Sequence, residues 1–115
     1  MTLTHARQWA TAVAAAALLM LPVALQAKTV NLTGEVSDAM CGAKHQMGGS
    51  AAECARSCIK MGSDYALVVG DKVYKLAGPS KADAKTLWDL AGKKAIVNGD
   101  LNGDTLTVKS VQAAK

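Results

Sequence analysis

Residues 94–111 read KAIVNGDL-NGD-TLTVKSV. Two runs of alternating apolar and polar residues meet at Asn102-Gly103-Asp104, and Asn-Gly between such runs is the strongest short-range signal for a hairpin. Strands over 94–101 and 105–111 follow from it. Working upstream, Gly92 stops a segment that Ser80 and Asp83 open, with Ala84, Leu87, Trp88 and Ala91 at helical spacing. Trp88 is the largest residue on that face and is expected to plug one end of the sheet. Before Gly78-Pro79, Tyr65–Val69 and Val73–Leu76 are short β-rich runs around Gly70-Asp71-Lys72, a second hairpin. Ser50 with Glu53 makes a capping box. Gly62 closes the helix it starts, in which Ala51, Cys54, Ala55, Cys58 and Met61 share a face. First in this series, Thr29–Ser37 alternates Val30, Leu32 and Val36 with polar residues, the period of a half-buried strand.

The order is strand, cysteine-bearing excursion with a helix, hairpin, helix, hairpin. Five strands with a helix between the third and fourth is the order of an OB-fold barrel. The expected fold is therefore mainly β, an OB-fold-like five-stranded barrel with a helical insertion between strands 1 and 2. A small α+β sheet with both helices on one face is the alternative.

Thr33-Gly34-Glu35-Val36-Ser37-Asp38-Ala39-Met40-Cys41-Gly42, then His45 and Met47, Glu53-Cys54 and Cys58, and Tyr65-Ala66-Leu67-Val68 carry a resemblance. The chain resembles a group of small, exported, largely uncharacterised bacterial proteins that share G-x-(V/I)-S-D-x-x-C-G-x-x-H, two later cysteines and a hairpin of the KVY-L kind. The resemblance covers nearly all of the chain after residue 27. It implies a bacterial, exported, β-rich protein and brings no activity with it.

Export is also read from the amino terminus. Met1–Trp9 carries Arg7 and no acid, Ala10–Leu25 is apolar apart from Thr11 and Pro22, and Ala24-Leu25-Gln26-Ala27 ends on a small residue. A positive start, an apolar middle and a small-residue exit are the parts of a cleavable secretory signal. Residues 1–27 are expected to be removed, leaving a single domain, 28–115, in the periplasm or outside the cell. The apolar run is shorter than a spanning helix needs, so the cleaved protein is expected to be free of the membrane. Twelve Lys and Arg then stand against nine Asp and Glu, scattered along the chain. With three aromatic residues left on which bases could stack, nucleic acid is an unsuitable partner.

A core without Phe, in a domain this small, is only marginally stabilising, and exported domains of this size often add a disulfide or a metal. Three cysteines and one histidine lie between residues 41 and 58: Cys41 and His45 four apart, Cys54 and Cys58 four apart. Residues four apart on helical turns project from one face, so each pair can face a common centre. Cys41, His45, Cys54 and Cys58 make a full tetrahedral set for a soft ion, zinc or copper. Met40, Met47 and Met61 add soft sulfur nearby, although packing is the expected role of methionine in a core without Phe. Asp38, at a strand end, reads as turn chemistry.

The second reading is a structural disulfide joining Cys41 to Cys54 or Cys58, in a module that binds an unidentified protein or small molecule. It leaves one thiol over. Thiol-redox exchange is the third, weakened by the lack of Cys-x-x-Cys but helped by the position of Cys54 in the first turns of a helix. No catalytic motif of the nucleophile-elbow, zincin, Walker or Rossmann kind is present, and the reading is of a non-enzymatic domain. The oligomeric state is not written in the sequence.

Overall fold

The structure is a computed structural model and describes residues 27–44 and 49–115. The strands are β1 (Lys28–Asp38), β2 (Tyr65–Val69), β3 (Lys72–Ala77), β4 (Lys94–Asn102) and β5 (Thr105–Ala113), with helices α1 (Ala51–Lys60) and α2 (Lys81–Asp89). They form a closed barrel in the order β1-β2-β3-β5-β4. α1 lies between β1 and β2 in the chain and α2 between β3 and β4, as the OB-like reading requires. The open α+β sheet is excluded by the closure itself, which β3 and β5 make as a parallel pair at Lys75–Ala77 and Thr105–Thr107.

β1 is long because it serves two neighbours. Lys28–Glu35 pair with β4, and Glu35–Asp38 pair with β2. The strand must curl where it changes partner, and Gly34 sits there. A Cβ on Gly34 would run into the Val68 carbonyl and Val69 Cγ2, so the close approach of β1 to β2 depends on its absence. Gly34→Ala is expected to lower stability by about 1–3 kcal/mol, the usual range for overpacking. Urea unfolding of the two proteins measures this, and an unchanged midpoint would show that β1 tolerates the extra methyl.

The inner faces of the strands supply Val36, Leu67, Leu76, Ala95, Val97, Leu106 and Val108, and α2 adds Leu87. Burial alternates along β4 and β5 as the sequence pattern predicts. α2 is held to β1 through its C-terminal turn, where Val36 N–H donates to Lys93 O (2.9 Å) and Gly92 N–H donates to Val36 O (2.8 Å).

The expected plug is corrected by one residue. Leu87, not Trp88, is fully buried in the barrel core, and Trp88 is half-buried outside it. One residue along a helix is a rotation of about 100°, which turns the indole toward α1. There the Arg56 guanidinium lies 5.6 Å and Lys60 Nζ 5.7 Å from the ring centre. Arg56 Nε and Nη2 both donate to the Trp88 carbonyl, at 3.1 and 3.0 Å. Trp88 thus fastens the cysteine-bearing helix to the barrel. Among the described residues no helix is long and apolar enough to cross a membrane.

Candidate metal centre

The site is assembled from the end of β1, the turn that follows it and one face of α1. Asp38 closes β1 and accepts the backbone N–H groups of Met40 and Cys41 through Oδ2, each at 3.0 Å. Gly42 N–H returns to the Asp38 carbonyl at 2.9 Å, and Ser37 Oγ donates to the Gly42 carbonyl at 2.8 Å. Gly42 has φ +55° and faces Val73 Cγ2, which a Cβ would meet at 3.2 Å; the turn needs glycine for its conformation. These bonds fix Cys41 tightly against the strand end.

α1 brings the other two sulfurs. Ser50 caps it, with Ser50 Oγ accepting from Glu53 N–H and the Glu53 carboxylate accepting from Ser50 N–H. Cys54 and Cys58, one turn apart, point inward and are each 1% exposed. At the far end, Ser63 N–H donates to the Cys58 carbonyl (3.0 Å) and Ala39 N–H to the Asp64 carbonyl (2.9 Å). The end of α1 and the Cys41 turn are thereby drawn together.

Cys41 Sγ lies 3.5 Å from Cys58 Sγ and 3.6 Å from Cys54 Sγ. With a carboxylate oxygen of Asp38, all four donor atoms fall within 4.8 Å of one another. The three thiols are unbridged. Zn–S bonds of about 2.3 Å in a tetrahedron place two sulfurs about 3.8 Å apart. Both sulfur pairs that include Cys41 already stand close to that spacing.

Asp38 is the residue that sequence reasoning missed. It is fully buried, no Lys or Arg pairs with it among the described residues, and its Oδ1 has no hydrogen-bond partner. A buried carboxylate oxygen without a partner is costly, and such groups are paired or bind metal. The available signal was Asp-x-x-Cys at a strand end. The expected turn chemistry is present as well: Oδ2 makes the turn, and Oδ1 has no hydrogen-bond partner.

The cysteines expected in the site, Cys41, Cys54 and Cys58, are brought together. The fourth expected ligand, His45, lies outside the described residues, as do Met47 and residues 1–26, on which the export expectation rests. Met40 and Met61 are not core fillers: they are 68% and 60% exposed. The Cys58 thiol is pushed up to about 12, by burial first and then by the neighbouring Cys41 and Asp38. In the metal-free protein it is therefore a protonated thiol at neutral pH. No protein-family model, curated protein or solved structure matches this chain.

Proposed function

We propose that this chain is an exported domain that binds one soft metal ion, copper or zinc, through Cys41, Cys54, Cys58 and Asp38. The observation that carries the reading is the convergence of three thiol sulfurs and a carboxylate oxygen of the fully buried Asp38 within 4.8 Å. Three thiolates and one oxygen complete a tetrahedral shell. A closed shell without an open position is the form of a holding site and not of a catalytic one. Cys41, the half-buried member of the set, is the side from which an ion enters and leaves. Export is supported by the composition of residues 1–27.

Titration of the reduced protein with Zn²⁺ or Cu(I), without oxygen, tests the proposal. One equivalent is expected to bind, with release of protons as the thiolate bonds form. The sign of the pH dependence follows. A Cys58 thiol raised to about 12 favours the protonated, metal-free form, so apparent affinity falls as pH is lowered and rises as pH is raised. An affinity independent of pH between 6 and 8 would mean that the ion is not held by these thiols.

A further inference from the structure

Met40 and Met61 are the exposed large hydrophobic residues of the described chain, and both are attached to the candidate metal centre. Met40 immediately precedes Cys41, and its N–H donates to Asp38 Oδ2 at 3.0 Å. Met61 caps α1, three residues after Cys58, and its N–H donates to the Cys58 carbonyl at 3.1 Å. The bonds from Ala39 to Asp64 and from Ser63 to Cys58 hold these two turns side by side. An apolar side chain left in water contributes nothing to the core, and this barrel has little apolar bulk to spare.

Thioethers have a ligand chemistry of their own. They are soft, uncharged donors that bind Cu(I) and discriminate against harder ions, while Zn²⁺ is content with thiolate, imidazole or carboxylate. Methionine is also flexible enough to swing a bound ion across a few ångströms.

We propose that Met40 and Met61 form an outer landing site for Cu(I), from which the ion passes to Cys41, Cys54 and Cys58. The proposal rests on the metal-binding reading of the inner site and deepens it by naming the ion. The transfer is a ligand exchange. Copper–thioether bonds break, copper–thiolate bonds form, the thiol protons leave to water, and copper stays in the +1 state throughout.

The test uses the reduced protein and Cu(I) presented as its complex with an aromatic diimine chelator, whose colour is lost as copper is withdrawn. The variant carries both Met40→Leu and Met61→Leu, which keep apolar bulk and remove the sulfur. An outer ligand acts by raising the local concentration of the ion, so uptake by the variant is expected to slow by about tenfold or more. The final Cu(I) stoichiometry and the rate of Zn²⁺ uptake should match the parent. Parental Cu(I) uptake rates in the double variant, or an equal slowing of Zn²⁺, would overturn the landing site while leaving the inner site standing. A parent protein that takes up neither ion would overturn both. Circular dichroism of the variant confirms that the comparison is between folded proteins.

Discussion

Cys54→Ser is expected to weaken Zn²⁺ or Cu(I) binding by the reduced protein by a factor of about 100 or more. Structural zinc sites bind with about 10–16 kcal/mol shared among four ligands, and a quarter of that is about 3 kcal/mol. Serine keeps the size of the side chain but does not ionise at neutral pH, so a thiolate bond is lost with little change in packing. Cys58→Ser and Cys41→Ser should act in the same direction, because all three sulfurs belong to one cluster. Asp38→Asn separates binding from folding. An amide keeps an oxygen to accept from Met40 and Cys41 N–H, as Oδ2 does now, and is a weaker donor to a metal ion. Metal affinity is expected to fall while the metal-free domain stays as stable as the parent or becomes more so. Competition against a chromophoric chelator measures the first, and urea unfolding the second. A stability loss with unchanged affinity would make Asp38 a turn residue only.

The second large effect is in the core. Leu87→Ala removes a fully buried side chain packed against the barrel interior, and such truncations cost about 2–5 kcal/mol. That is a large part of the stability of a domain this small. Trp88→Ala should cost less despite the larger residue. It loses two cation–π contacts over the ring, about 0.5–1 kcal/mol each, and part of a half-buried surface. Arg56 retains its bonds because they go to the backbone carbonyl of residue 88. Denaturant unfolding of both variants in metal-free protein compares them directly. A greater loss from Trp88→Ala would place the indole, and not Leu87, at the centre of the barrel.

The comparison of these two residues shows where the sequence stops being legible. The helix, its cap at Ser80 and its stop at Gly92 could be read from local chemistry. Leu87 and Trp88 are adjacent and both apolar, and which of them enters the barrel depends on how α2 is rotated against β1. Tertiary hydrogen bonds such as that from Gly92 to Val36 set the rotation, and they leave no trace in residue spacing. The hairpins and barrel order were legible because turn residues and period-2 alternation are local. At the end of β1 the alternation fails, since Val36, Ser37 and Asp38 are all fully buried. The barrel covers one face there and the insertion covers the other, so Asp38 is hidden where the pattern would expose one residue in two. The grouping of Cys41, Cys54 and Cys58 was visible as i,i+4 spacing on a helix and proximity in the chain. The fourth donor was not visible, because its case rests on an orphaned oxygen that only the fold reveals.

X-ray absorption of the Zn²⁺-loaded, reduced protein at one equivalent tests the central claim most directly. Three sulfurs at about 2.3 Å and one oxygen at about 2.0–2.2 Å are expected around the ion. Imidazole scattering in the outer shell would give the fourth position to His45 in place of Asp38. A first shell with fewer than three sulfurs would contradict the assignment of Cys41, Cys54 and Cys58 as one metal centre.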